Sequence, residues 1–159
     1  AQQKAQPDLF DHATLELDAP QNGKVWFLRD YHLIHRPATI GRHYQSLFYS
    51  SKFARVLRNN LIHMETFKTA FTLFLEALEY WERGRLPEII YFKSLFRYTR
   101  QEGYPIRDHW LAGLSSDFGG AAAEILRLPL HQQDANRSEV EKVIESLEGW
   151  LAGHTDILL

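Results

Sequence analysis

Apolar and polar positions alternate in part over residues 8–18, DLFDHATLELD, with Leu9, Ala13, Leu15 and Leu17 as the apolar members. Residues 25–34, VWFLRDYHLI, are rich in the β-branched and aromatic types that fit a pleated, half-buried surface. APQNGK lies between the two runs, and both Asn22 and Gly23 tolerate the positive φ of a type I′ turn. The pattern therefore predicts a β-hairpin over 9–35. A lone hairpin is marginal in water, and no further strand pattern follows. The expectation is that the first strands of a larger sheet are missing from this chain, or that helices cover the hairpin.

Pro37 ends the hairpin, and from Thr39 the period becomes helical. Ile40, Tyr44, Leu47, Phe48, Ala54, Leu57 and Leu61 form one apolar face. A second helix is predicted over about 65–83, with Phe67, Phe71, Phe74, Leu75, Leu78 and Trp81 inward. Gly84 suits its C-terminal stop, and Pro87 suits the first turn of the next helix, where a missing N–H costs nothing. That third helix runs from about 88 to 102 and turns Ile89, Phe92, Leu95, Phe96 and Thr99 inward. After Tyr104-Pro105 come weaker helical segments at 108–114 and 117–128. Ser138 and Glu141 predict a capping box that opens a last helix, with Val140, Val143, Ile144, Leu147 and Leu151 on one face and Gly153 at its close. Contact among Trp81, Trp110 and Trp150 is compatible with these helices. The fold class is α+β: a hairpin followed by a mostly α-helical domain.

Composition narrows the chemistry. The chain has 159 residues, 45% of them hydrophobic and 13% aromatic, which is enough for a core and argues against disorder. With no cysteine, disulfides and thiolate zinc sites are excluded, and a reducing cytoplasm fits. No apolar run is long enough to span a bilayer. His32 and His35 form H-x-x-H, but in a strand pattern that spacing points to opposite faces, so no metal site is expected. H-E-x-x-H, G-x-S-x-G and a P-loop are absent, and Ser115-Ser116 before DFGG reads as a helix cap. No catalytic residue, cofactor or metal is expected, and enzyme activity is disfavoured.

Charge is uneven. Residues 1–60 hold eight Lys+Arg against five Asp+Glu, and residues 61–159 hold ten against fifteen. Phosphate affinity comes from clustered Lys and Arg, so a nucleic-acid role would have to be local. Lys24, Arg29 and Arg36 of the hairpin, with Arg42, Lys52 and Arg55 of the first helix, are the candidates for such a groove, and Trp26, Tyr31 and Tyr44 could stack bases there. The commoner fate of such aromatics is the core. Lys93, Arg97 and Arg100 stand at i, i+4 and i+7 and share one helix face. Either that face is solvated and pairs with Glu88, Glu102 or Asp108, or it docks an acidic partner, with Phe92, Phe96 and Tyr104 supplying an apolar pocket beside the charges.

The run KAQPDLFDHATLEL, continuing in GKVWFLRDYHLI, resembles the last strands of the N-terminal OB-fold of the RecO family of bacterial recombination mediators. Asp8-Leu9-Phe10 matches a recurrent stretch of that family, and Lys4 corresponds to the end of its basic segment. IIYFKSLFRYTRQEGYP resembles a helix and turn of the family's helical domain, and AGHTDILL stands where the family has its closing segment. Residues 1–36 would then be the C-terminal part of an OB-fold-like domain, and 37–159 a RecO-like helical domain. The opening strands are not in this chain, the zinc-binding cysteines of some members are absent, and HTDIL replaces a basic terminal cluster. The resemblance implies a non-enzymatic DNA-repair factor of the bacterial cytoplasm and nucleoid. Such a factor binds single- and double-stranded DNA, anneals strands and loads recombinase with RecR. It also takes the acidic C-terminal tail of single-strand-binding protein into a pocket of the helical domain. The alternative is a helical protein-interaction module with no DNA role.

Overall fold

The computed structural model describes residues 6–20, 25–64 and 67–159. The described residues form a two-stranded antiparallel hairpin followed by six α-helices. Two compact units meet in sequence at Ala38/Thr39. The Asn22-Gly23 turn, Lys4 and Lys24 lie outside the described residues.

In the first unit β1 (His12–Asp18) pairs with β2 (Phe27–His35). Thr14 faces His32, Leu15 faces Tyr31 and Glu16 faces Asp30, with irregularities between His12 and Ala13 and between Glu16 and Leu17. One polar network ties the ends of the hairpin together. Asp11 accepts from Arg36 Nε at 2.7 Å and from Arg36 Nη2 at 2.6 Å. It also accepts from the Tyr31 hydroxyl and from the Asp8 amide. The Arg36 guanidinium, more than any other group, holds the Asp11 carboxyl far below the usual carboxylate range.

The second unit is helical. It comprises α1 (Tyr44–Asn60), α2 (Lys68–Glu82), α3 (Pro87–Gln101), the short α4 (Ile106–His109), α5 (Ser116–Arg127) and α6 (Arg137–His154). Helix α3 is the hub. It packs against α1, α2, α4 and α6, and it buries Ile89, Phe92, Leu95, Phe96 and Thr99 as the periodicity predicts. Phe53 of α1 meets four rings, those of Phe74, Trp81, Tyr91 and Tyr98, at centroid distances of 6.2 to 6.4 Å. Burying one such ring stabilises the fold by about 1.5–3 kcal/mol.

That cluster also explains where the predicted faces of α1 and α2 are rotated. Both helices carry apolar residues around much of their girth, so periodicity alone leaves the face undecided. Packing around Phe53 selects Tyr49, Phe53, Val56 and Leu57 on α1, and leaves Tyr44, Phe48 and Leu61 exposed. On α2 it selects Ala70, Leu73, Ala77, Leu78 and Trp81, and leaves Phe67 and Phe71 exposed. The tryptophans go to separate places: Trp81 packs on Phe53, Trp110 on Phe92 and Phe96, and Trp150 on His154.

The helix ends follow local chemistry. Gly84, at φ +70°, gives its amide to Trp81 O at 2.9 Å and stops α2. Leu86 at φ +50° and Pro87 at the first helical position then start α3. Gly103, at φ +86°, donates to Arg100 O, and Tyr104 donates to Thr99 O, the paired bonds of a Schellman motif. The predicted Ser138–Glu141 capping box does not form. Asn136 is the cap, its side chain accepting from the Glu139 amide at 3.0 Å. Glu141, displaced one turn inward, pairs with Arg137 at 2.7 Å instead. Gly153 does not end α6, which continues to His154. The segment after α6 is held down by Asn60 and by the Tyr104 hydroxyl, which accepts the Asp156 amide at 3.1 Å. Among the described residues no helix is long and apolar enough to cross a membrane.

Candidate functional site

Helix α3 is buried around most of its circumference. The interruption is the stripe of Lys93, Arg97 and Arg100, and that stripe forms one wall of a groove of about 700 Å³. Opposite it stand Leu73, Glu76, Ala77 and Tyr80 of α2. The α2–α3 turn adds Arg83, Arg85 and Leu86, α4 adds Arg107, and the end of α5 with the following turn adds Leu126, Pro129 and Leu130. Among the described lining residues, six Lys and Arg side chains therefore stand about an apolar floor that includes Ile90 and Phe96, and Glu76 is the one carboxylate.

The three stripe cations are differently engaged. Lys93 Nζ donates to Leu128 O at 2.6 Å and to Leu126 O at 3.2 Å. Leu126 belongs to the last turn of α5, where a helix leaves carbonyls free and favours positive charge, and Leu128 is the residue that follows the helix, its carbonyl shared with Gln133 Nε2. Burial lowers the Lys93 pKa from its ordinary value. Arg97 pairs through Nη1 with Glu76. Arg100 is exposed and, like Arg85 and Arg107, has no side-chain partner among the described residues. Arg83 lies over the Tyr80 ring, 5.1 Å from its centroid.

Phe96 lines the groove and is clasped by Phe92 and Trp110. Tyr104 does not line it, because its hydroxyl is turned to the backbone of Asp156. Solvent pairing with Glu88, Glu102 or Asp108 is not how the stripe is satisfied. The partners come from other helices, and sequence spacing carries no signal of that. Arg83 and Arg85, which flank Gly84 in ERGRL, and Arg107 were missed as site residues; the clustering of two arginines around a helix stop was the available clue.

The described residues proposed to follow a phosphate backbone are divided between the two units. Arg29 is exposed on β2, while Arg36 is committed to Asp11. Arg42 and Arg55 are exposed on the helical unit. Lys52 is drawn into a cleft of about 320 Å³ between α1 and α6, where Glu141, Glu145 and Glu148 are among the lining residues. It pairs with Glu148 at 2.6 Å and lies 5.0 Å from the Tyr91 ring centroid. The Tyr91 hydroxyl donates to the same carboxylate at 2.6 Å, and burial raises its pKa strongly. Trp26 and Tyr44 are exposed, whereas Tyr31 is bonded to Asp11.

One trio on the hairpin, Glu16, Asp30 and His32, brings possible ligand atoms within 4.8 Å of one another. Within it His32 Nε2 is 3.2 Å from an Asp30 carboxylate oxygen. No family model matches this chain, and neither a curated protein nor a solved structure matches it.

Proposed function

We propose that this chain is a non-enzymatic DNA-repair and recombination mediator resembling RecO, whose helical unit docks the acidic tail of a partner protein. The reading rests on one observation: six cations ring an apolar groove on the α3 face that carries Lys93, Arg97 and Arg100. A tail of aspartates ending in an aromatic side chain complements both parts of that surface. The cations steer and orient the acidic residues, and the floor around Phe96 and Ile90 takes the ring. In this reading the partner is single-strand-binding protein, and a RecR-like protein and DNA complete the assembly in the bacterial cytoplasm. Annealing and recombinase loading need charge neutralisation and release of the coating protein, without a general acid or base.

Fluorescence anisotropy with an acidic, Phe-terminated peptide tests this. Arg100→Glu and Arg97→Glu should each weaken binding at least tenfold, and wild-type affinity should fall steeply with salt. Equal affinity in wild type and both variants would remove the groove from the assignment.

A second reading, a protein-interaction module with no DNA role, is favoured by the engagement of Arg36 with Asp11 and of Lys52 with Glu148. It predicts no oligonucleotide binding at low salt. Binding that weakens in Arg29→Glu or Arg55→Glu would reject it.

A further inference from the structure

Arg97 stands in the middle of the α3 stripe, yet its guanidinium already has a carboxylate partner. Glu76 reaches across the groove from α2 and pairs with it, and the two side chains remain 46% and 53% exposed. Glu76 is also the only carboxylate among the described groove-lining residues, so the pair puts a carboxylate charge on a central cation. We propose that Glu76 is a built-in competitor, occupying on Arg97 the place that a carboxylate of an acidic peptide takes on binding. The proposal rests on the docking function argued above and adds how that groove is tuned.

The physics favours exchange over a permanent lock. A solvent-exposed ion pair contributes at most about 1 kcal/mol, because water screens both charges and two long side chains lose freedom. A peptide carboxylate therefore meets an Arg97 that is held in place but weakly satisfied. A single acidic group gains little by replacing Glu76. A peptide with several acidic groups also reaches Arg85, Arg100 and Arg107, which have no side-chain partner among the described residues. Glu76 thus raises the threshold for lone anions and leaves multiply acidic segments able to bind. Lys93 does not share this role, since its ammonium is directed to the carbonyls of Leu126 and Leu128.

The test uses the full chain and a fluorescent acidic peptide ending in Phe, titrated at low salt against wild type, Glu76→Gln, Arg97→Gln and the double variant. Glu76→Gln should bind about two- to fivefold more tightly, the range an exposed pair allows. In the Arg97→Gln background the same change should give little or no gain, because the competed site is gone. If wild type binds but Glu76→Gln is unchanged or weaker, or gains equally with and without Arg97, the competitor role is wrong and the docking reading stands. If neither wild type nor Glu76→Gln binds the peptide, both are wrong.

Discussion

The Asn60 side chain and the Leu158 backbone exchange two hydrogen bonds. Asn60 Nδ2 donates to the Leu158 carbonyl at 2.8 Å, and Oδ1 accepts the Leu158 amide at 3.0 Å. Asn60 is buried, and its Nδ2 also reaches Val56 O at 2.7 Å. The end of α1 is thereby fixed to a segment 98 residues away in sequence. Asn60→Leu leaves the Leu158 N–H and C=O without their partner, so it should lower stability by about 1–3 kcal/mol. Urea denaturation monitored by tryptophan fluorescence measures this, and amide exchange at Ile157 and Leu158 should quicken.

Gly84→Ala should be destabilising for two separable reasons. The residue has φ +70°, and an added Cβ would stand 3.2 Å from the His43 ring. The conformational part alone costs about 1–2 kcal/mol. Thermal melts of Gly84→Ala in the wild-type and His43→Ala backgrounds separate the terms: removing the ring should recover the steric part and leave the conformational one.

Lys93 and Arg100 share a helix face but should fail differently when neutralised. Lys93→Met removes the Nζ donor to Leu126 O and Leu128 O, of which Leu128 O keeps Gln133 Nε2 at 2.7 Å, and this predicts a loss of about 1 kcal/mol. Arg100→Met touches no partner among the described residues and should stay within about 0.5 kcal/mol of wild type. Parallel melts and peptide titrations should show Lys93→Met as mainly a folding variant and Arg100→Met as mainly a binding variant.

The Asp11–Arg36 pair gives the hairpin unit an acid-sensitive contact. In the unfolded chain the carboxyl titrates near its ordinary 3.8, and in the folded unit it titrates lower. The unfolded chain therefore binds the additional proton first. The pair's contribution is complete above that ordinary value and is lost as pH falls through it toward the folded pKa. Carboxyl NMR should find Asp11 still ionised where exposed aspartates have protonated. Asp11→Asn should remove this acid dependence from the hairpin's strand signals.

The hairpin, the six helices and the stops at Gly84 and Gly103 were legible because each is written in neighbouring residues. Helix α3 was read almost to the residue, since Pro87 and Gly103 bracket a strongly periodic run. The start of α6 was misread because Asn136 and Ser138 are both good caps, and choosing between them depends on which side chain reaches a free amide. The apolar faces of α1 and α2 were read only in part, with Leu57, Leu78 and Trp81 buried as expected and Tyr44, Phe48, Phe67 and Phe71 exposed, because each helix has more than one apolar face. The groove was legible only as its α3 wall. Glu76 meets Arg97 across 21 residues and Lys93 meets Leu128 across 35, and no local pattern encodes either meeting.

The burial of α3 also limits how this surface can change over time. Ten of its fifteen residues are buried, so most substitutions there disturb the core before they alter recognition. Glu76, Arg83, Arg85 and Arg107 sit on flanking elements, where exposed side chains can usually be exchanged within about 0.5 kcal/mol. In the docking reading proposed above, new partner preferences would therefore arise by drift around the hub, while the hub itself holds the frame in which they are compared.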